Sequence, residues 1–241
     1  MSNTESFLNT FDKIFIVNLP ERIDRRKEIS SELDWIGASN HAKVEIFPAV
    51  KPTEPGGFPS IGARGCFMSH LSILKRARDS GMQRILIMED DLMFSSYLKK
   101  NQQALAQHLK GNAYDIAYLG HLVEKKNNGA LRFEKYELPL MQSHFIAFRG
   151  DVIASLVTFL ETLLTRPPGH PDGGPMHVDG AYSTFRQQQP ERITQIAVPS
   201  LGFQRPSPSD IAGFRWFDNV AGFKVLSAFA RRARGLLMRF N

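Results

Sequence analysis

Three consecutive carboxylates, Glu89, Asp90 and Asp91, follow an apolar run at residues 85–88. Clustered like charges repel one another unless a cation neutralises them. Mg²⁺ and Mn²⁺ take oxygen ligands and accept diphosphate oxygens in the same coordination shell. Because open α/β sheets bind ligands at the carboxyl ends of their strands, the triplet predicts a metal–phosphate site there, with Glu89 and Asp91 on one face of the strand. A solvated acidic turn is the alternative interpretation.

A basic segment follows the first apolar run, residues 13–17. It begins at Asn18 and contains Arg22 and Arg25. Guanidinium groups at the carboxyl edge of a sheet could hold a base, a ribose or a phosphate. The alternative is a solvated helix start, in which Asp24 lies near the helix N-terminus.

A third candidate is the segment around Gly65, which precedes the acidic triplet. The pattern predicts a helix that opens at residues 62–65, where free backbone N–H groups would suit an anion. Ser69 and His70 lie within the first turns of this helix. For His70, the alternative is a packed, hydrogen-bonded core residue.

Alternating apolar runs and helical patterns must position these residues. Apolar runs predict strands, and segments with helical spacing predict helices. Strands are expected at 13–19, 44–50, 84–88, 114–119 and 144–148, and helices at 23–35, 62–80 and 151–164. The Pro- and Gly-rich residues 166–175 predict a long exposed loop. The alternation predicts an α/β protein with a mostly parallel, nucleotide-binding sheet flanked by helices.

Composition narrows the function classes. The chain has one cysteine, Cys66, which excludes an internal disulfide and fits a reducing compartment, so we expect a cytoplasmic protein. No stretch approaches about 18 uninterrupted apolar residues, the length that predicts a membrane span. The sequence has no GxxxxGK[ST] motif and no GxGxxG after the first strand, so ATP hydrolysis and dinucleotide redox chemistry lose support.

Residues 220–241 carry five of the six net positive charges and no acidic residue. On a helical wheel their apolar residues fall on one arc and their basic residues on the other. This segregation is typical of a helix on an anionic membrane surface, and a helix packed on the domain is the alternative. Nucleic-acid binding is not expected, because the rest of the chain is nearly neutral.

The order of these motifs resembles glycosyltransferase family 25. In that family a Gly-Cys-x-x-Ser-His-Leu helix is followed by an apolar strand that ends in Glu-Asp-Asp. The corresponding segments here are residues 65–71 and 85–91. Shorter matches occur at residues 18–25, 177–180 and 204–211, and the likeness spans residues 12–212 in order.

The resemblance implies a GT-A-like fold, and we expect one catalytic domain, residues 1–219, followed by the basic amphipathic helix, residues 220–241. It implies inverting transfer of a hexose, with galactose expected, from a UDP-sugar to a lipid-linked saccharide such as a lipopolysaccharide core. The enzyme would be peripheral on the inner face of the inner membrane. Mn²⁺ or Mg²⁺ would bind to Asp91 and Glu89. The residues implied to bind the donor are Asn18, Arg22, Arg25, Gly65, Ser69, His70 and Asp90.

An inverting transfer also needs a base that removes the proton of the acceptor hydroxyl group. Asp179 is the candidate base, because it follows the 166–175 loop and could face an acceptor cleft. Its alternative role is the N-cap of a helix at 181–187.

Two other functions of the protein are left open. One is a nucleotidyltransferase with a metal at Glu89 and Asp91, and the other is a degenerate family member that acts as a membrane-associated binding protein.

Overall fold

Strands alternate with helices in the computed structural model, which describes residues 6–126 and 129–205. A short 3-10 helix, Phe7–Thr10, precedes the first strand. The strands are β1 (Lys13–Asn18), β2 (Val44–Pro48), β3 (Arg84–Glu89), β4 (Leu92–Phe94), β5 (Ile116–Tyr118), β6 (Arg132–Lys135), β7 (Phe145–Arg149), β8 (Thr194–Val198) and β9 (Gly202–Gln204). The α-helices are α1 (Ile23–Trp35), α2 (Ile61–Asp79), α3 (Ser96–Lys100), α4 (Gln102–Lys110), α5 (Val152–Leu164) and α6 (Val178–Gln188).

Seven of these strands form one sheet, in the order β2-β1-β3-β7-β5-β8-β6. Strands β2, β1, β3, β5 and β8 run in one direction, whereas β7 and β6 run against their neighbours. The predicted α/β architecture, a mostly parallel sheet flanked by helices, is confirmed. The sequence analysis did not predict that β7 would lie antiparallel between β3 and β5. Strands β4 and β9 form a separate pair, in which Leu92 lies opposite Gln204.

The sheet separates two apolar clusters, and the alternation of strand side chains assigns residues to them. Ile85 and Ile87 of β3 pack with residues of α2, α5 and α6. Leu86 and Met88 pack on the opposite face with residues of α1, α4 and the 3-10 helix. The next residue, Glu89, therefore continues the face that α2 and α6 cover.

Helix α2 lies within one residue of its expected bounds, but Gly65 is not among its first residues. The helix begins at Ile61, and the Ser60 hydroxyl oxygen caps it by accepting a hydrogen bond from Ala63 N at 3.0 Å. Only the first few N–H groups of a helix are free, so Gly65, in the second turn, offers none to an anion. The prediction of an anion site at the Gly65 N–H was wrong, because a serine cap starts the helix one turn earlier.

The loop at residues 166–175 is confirmed, since it contains neither helix nor strand. Its ends are tied by the Arg166 side chain, whose Nη1 donates to the carbonyl oxygen of Asp172 at 2.6 Å. Within residues 6–126 and 129–205, every helix is too short or too polar to cross a bilayer. The predicted amphipathic helix at 220–241 lies outside the described residues.

Candidate active site

The acidic triplet lines a cleft of about 210 Å³ at the carboxyl ends of β1 and β3. Residues 49–52, which follow β2, form one wall, and the first turns of α2 form another. Arg25 of α1 and Gln204 of β9 also line the cleft. The predicted position of a ligand site, at the ends of neighbouring parallel strands, thus coincides with a cavity.

Asp90 is held by the protein itself. Its Oδ2 accepts a hydrogen bond from Asn18 Nδ2 at 2.8 Å, and its Oδ1 lies 3.1 Å from Arg25 Nη1. Asp90 is only 5% exposed. Asn18 is also engaged through its other amide atom, because its Oδ1 accepts from Arg26 Nη2 at 3.2 Å. The contacts of Asn18, Arg25 and Asp90 therefore fix the acidic turn, and their predicted contacts with a donor stay predictions.

Glu89 and Asp91 have fewer hydrogen bonds and opposite charges around them than their ionised carboxylates would need. Glu89 Oε1 accepts a hydrogen bond from Ser143 Oγ at 3.1 Å, and its Oε2 accepts from Gln204 Nε2 at 3.3 Å. Burial, followed by the charge of Asp91, raises the pKa of Glu89. Burial also raises the pKa of Asp91, against the opposing charge of Arg25. Asp91 Oδ1 is buried and lacks a hydrogen-bond partner.

This arrangement fits a divalent cation. Two neighbouring carboxylates with raised pKa values, one partly and one fully buried, are costly in their ionised form, and the charge of a cation would stabilise them. The unpartnered Oδ1 of Asp91 and the oxygen chemistry of Glu89 match the ligand preference of Mg²⁺ and Mn²⁺. The residues present therefore fit the metal that the sequence resemblance implies.

Gly65 and Ser69 fasten α2 to the wall formed by residues 49–52. Ser69 Oγ donates to Gly65 O at 2.7 Å and accepts from Val50 N at 2.8 Å. A Cβ atom on Gly65 would lie 2.6 Å from Val50 O, so only glycine allows this approach. Both residues border the cleft, and the contacts described give them a structural role.

His70 lies in the core, at 0% exposure. Its Nδ1 is 2.9 Å from Tyr182 Oη, and burial lowers its pKa to about 4, so the ring is neutral. Its Nε2 has no hydrogen-bond partner and lies 4.0 Å from Glu89 Oε1. The alternative interpretation, a packed core residue, accounts for the burial of His70 and its contact with Tyr182. It does not account for the unpartnered Nε2 atom near the Glu89 carboxylate.

Arg22 does not line the cleft. Its Nε and Nη2 donate to the two carboxylate oxygens of Asp24 at 3.0 and 2.8 Å. The hydrogen bonds from Arg22 lower the pKa of Asp24 to about 2. Arg22 is also the N-cap residue of α1, so the alternative interpretation of this segment as a helix start describes it.

Asp179 is in the first turn of α6, whose N-cap is His177. The alternative N-cap role was therefore wrong, because the helix starts one residue before Asp179. Asp179 Oδ1 accepts from Gly180 N at 2.8 Å, and Oδ2 accepts from Gln142 N at 3.2 Å. Its charge contributes to the raised pKa of Glu89, but Asp179 does not line the cleft.

Gln142 connects these two carboxylates and was missed in the sequence analysis. Besides the N–H that reaches Asp179, its Nε2 donates to Gln204 Oε1 at 3.1 Å, and Gln204 in turn donates to Glu89. Gln142 has a φ of 73°, in the left-handed region that side chains other than glycine rarely adopt. No short motif marks Gln142 or Ser143, although Gln204 begins one of the segments that resemble family 25.

The model of the family described as "Glycosyltransferase family 25 (LPS biosynthesis protein)" matches residues 59–151. This segment runs from just before α2 to just after β7, so it contains the acidic triplet, Cys66, His70 and Ser143. The predicted resemblance to family 25 is confirmed. Asp179 and Gln204 lie outside the matched segment.

Several relatives named as members of glycosyltransferase family 25 match 46% of the chain. Inactive glycosyltransferase 25 family member 3 of Homo sapiens is 27% identical over 129 residues, 46% of this chain and 22% of that protein. Procollagen galactosyltransferase 1 of Danio rerio is 31% identical over 130 residues, 46% of this chain and 21% of that protein. The match thus spans about a fifth of the length of these relatives.

A solved structure with a broader but weaker likeness is a glycosyltransferase involved in the glycosylation of the major capsid of PBCV-1. The alignment covers 82% of this chain and 93% of that one, with 11% sequence identity and a TM-score of 0.42. A likeness this low supports no conclusion about fold or activity.

Proposed function

We propose that this protein is a metal-dependent, inverting glycosyltransferase that moves a hexose from a UDP-sugar to a lipid-linked saccharide. The observation that carries the proposal is the pair Glu89, partly buried, and Asp91, buried, which line the cleft with raised pKa values and an unpartnered oxygen on Asp91. The confirmed family resemblance, over the segment that contains this pair, supports sugar transfer over nucleotidyl transfer.

Asp91 and Glu89 hold the cation in this proposal. A Mn²⁺ or Mg²⁺ ion bound there would stabilise the negative charge that develops on the departing UDP. Asn18 and Arg25 fix Asp90 and thereby the turn that carries Asp91, so the carboxylates are positioned before the donor binds. Arg25 also borders the cleft, where its cationic group favours an anionic donor.

Asp179 is the proposed base. Each of its carboxylate oxygens accepts one backbone hydrogen bond, which holds the side chain in place and leaves lone pairs for an acceptor hydroxyl group. Hydrogen bonds through Gln142 and Gln204 link it to Glu89, which supports a position near the donor site. Removing the hydroxyl proton on the side opposite the leaving group would give inversion.

The transferred sugar and its acceptor are inferred from the relatives. The Danio rerio relative is named a galactosyltransferase, which supports galactose as the sugar moved here. The description of the matching family as an LPS biosynthesis protein supports a lipopolysaccharide core as acceptor. Screening UDP-hexoses for UDP release in the presence of a core saccharide tests both assignments together.

Residues 220–241 are proposed to hold the enzyme on the cytoplasmic face of the inner membrane. Each of the five basic residues would contribute roughly 1 kcal/mol near an anionic surface. Deleting 220–241 should abolish co-sedimentation with liposomes that contain anionic lipid. Neutral liposomes provide the control, and equal binding by the truncated protein would exclude this segment as the anchor.

The donor site is tested by calorimetric titration of UDP, with and without Mn²⁺, into wild type and Asp91→Asn. Metal-dependent binding in the wild type and its loss in the variant are expected. Asp79→Asn, which alters an exposed carboxylate at the far end of α2, serves as the matched control. Absence of UDP binding under every condition would exclude the donor assignment.

A binding protein without turnover is a second candidate, because the Homo sapiens relative is named inactive. It predicts metal-dependent UDP binding but no release of UDP from any UDP-hexose, with or without acceptor. Sugar transfer predicts both binding and release. The two functions are therefore separated by measuring binding and turnover on the same preparation.

A further inference from the structure

Cys66 and His70 lie one turn apart on α2, with the i, i+4 spacing that places two side chains on the same helix face. Glu89, at the end of β3, meets them from the neighbouring strand. The Cys66 Sγ atom, a His70 ring nitrogen and a Glu89 carboxylate oxygen all lie within 4.8 Å of one another. Three potential metal ligands, a sulfur, a nitrogen and an oxygen atom, therefore lie close together.

His70 supplies the second observation that points to a ligand. Its side chain is 0% exposed, yet Nε2 has no hydrogen-bond partner and is directed at Glu89 Oε1, 4.0 Å away. In the tautomer that donates from Nδ1 to Tyr182 Oη, the neutral ring has its lone pair on Nε2, and this is the tautomer that a metal at Nε2 requires. Histidines that bind metals are oriented in this way, through a hydrogen bond from the other ring nitrogen.

We propose that Cys66 Sγ, His70 Nε2 and Glu89 Oε1 form a binding site for Zn²⁺, with the fourth position open to the cleft. Zn²⁺ takes thiolate, imidazole and carboxylate ligands at about 2.0–2.3 Å, and sites with three protein ligands keep one position open. Two ligands of one tetrahedral ion are therefore roughly 3.3–3.8 Å apart, so side-chain shifts of about 1 Å close the site. Binding releases the thiol proton of Cys66 to solvent.

This site differs in chemistry from the cation site proposed for the donor. Asp91 and diphosphate oxygens suit a hard ion, whereas a thiolate and an imidazole select a softer one. Glu89 belongs to both sites, but Cys66 and His70 take no part in the donor site as proposed. The Zn²⁺ site stands on the geometry of α2 and β3 and does not depend on sugar transfer.

Access is provided by Cys66, which is half-buried and borders the cleft. His70 and Tyr182 lie behind it in the core. An ion can therefore enter from the cleft and reach Cys66 and Glu89 before His70. The open fourth position then faces the cavity, where water or a substrate group completes the coordination.

The test uses Co²⁺ as a spectroscopic substitute for Zn²⁺ in the full, reduced chain. Thiolate coordination to Co²⁺ gives a ligand-to-metal charge-transfer absorption, and Cys66 is the only thiol in the sequence. We expect a saturable signal at one ion per chain, displaced by Zn²⁺. Cys66→Ser should abolish it, and Asp91→Asn, which leaves all three proposed ligands in place, should retain it.

A second variant tests the orientation of the histidine. Tyr182→Phe keeps the aromatic ring in the core and removes only the hydroxyl group beside His70. It should lower Zn²⁺ affinity by about 10- to 100-fold while leaving the charge-transfer absorption present at saturation. A wild-type protein without the thiolate signal, or a Cys66→Ser variant with unchanged Co²⁺ affinity, would overturn the proposal.

Discussion

Gln204 Nε2 donates a hydrogen bond to Glu89 Oε2 at 3.3 Å, which joins the end of β3 to β9 across 115 positions of the chain. The same Gln204 accepts from Gln142, whose N–H reaches Asp179. The proposed metal ligand and the proposed base therefore belong to one hydrogen-bonded network. A substitution at Glu89 is therefore expected to alter the position of Asp179, and a substitution at Asp179 that of Glu89.

Asp91→Asn should lower turnover by about 10²–10³-fold, since it removes the charge that holds the cation at the leaving group. The folded state should gain stability, because a buried, under-compensated carboxylate is lost. Steady-state kinetics and urea unfolding measure the two effects. A variant that turns over at the wild-type rate would contradict the assignment of Asp91.

The stability of the metal-free protein should fall as the pH rises above 4.5, the ordinary pKa of a glutamate carboxyl group. Burial and neighbouring charge raise the pKa of Glu89 in the folded state, so the native protein binds this proton more tightly than the unfolded chain. The stabilisation is complete below the ordinary pKa and is lost as the pH rises through the raised one.

Thermal unfolding at several pH values, with chelator present, measures this dependence. Glu89→Gln removes the titrating group and should flatten the profile, whereas Glu191→Gln alters an exposed carboxylate and should leave it unchanged. Added Mn²⁺ should restore stability mainly at the higher pH values, where both ligands are ionised. A profile that is equally steep in Glu89→Gln would assign the effect to other groups.

Gly65→Ala should destabilise the fold by about 1–3 kcal/mol, because the added Cβ would lie 2.6 Å from the backbone oxygen of Val50. Gly180→Ala is the matched control, since its Cβ would meet only Met176 Sδ, at 3.4 Å. The control should be neutral or stabilising through helix propensity. Urea unfolding of both variants gives the comparison, and equal effects would refute the close approach.

Arg25→Met should cost about 3–5 kcal/mol of folding stability, because it leaves the buried carboxylate of Asp90 without its cation. Asp90→Asn in the same chain should recover part of that loss. A double-mutant cycle on the two positions, followed by denaturant unfolding, measures the coupling directly. Additive single effects would show that the 3.1 Å pair contributes nothing.

Asp179→Asn separates the role of a base from that of a helix-stabilising charge. Loss of the base should lower the turnover rate by about 10²–10⁴-fold with UDP affinity unchanged. Loss of a charge in the first turn of α6 should cost only about 0.3–1 kcal/mol of stability. Asp172→Asn, in the exposed 166–175 loop, is the control, and a turnover rate like that of the wild type would exclude Asp179 as the base.

The position of the acidic triplet could be predicted from the local sequence, because an apolar run that ends in carboxylates can be recognised within a few residues. The strands that became β1, β2 and β3 were predicted for the same reason. The start of α2 was predicted to within one residue, but its free N–H groups were wrongly assigned to Gly65, since the Ser60 cap was not considered. The i, i+4 spacing of Cys66 and His70 is also visible in the sequence. Their proximity to Glu89 is not, because it depends on how α2 packs beside β3.

Residues brought together from distant positions could not be predicted. Ser143 reaches Glu89 across 54 positions and Gln204 across 115, and each contact depends on the order of the strands. That order includes β7 antiparallel beside β3, which short apolar runs do not encode. The left-handed backbone at Gln142 is likewise invisible, because glutamine carries no preference for it.

The antiparallel insertion of β7 also has a practical consequence. Because β7 runs against β3, the residues that lead into β7 arrive at the same sheet edge that the residues after β3 leave. Of the connection between β6 and β7, Leu138 and Met141 are exposed and can therefore be varied in composition, whereas Gln142 and Ser143 must stay because they hold Asp179 and Glu89. In directed evolution, these two exposed positions and the carboxylates of the cleft are separable targets.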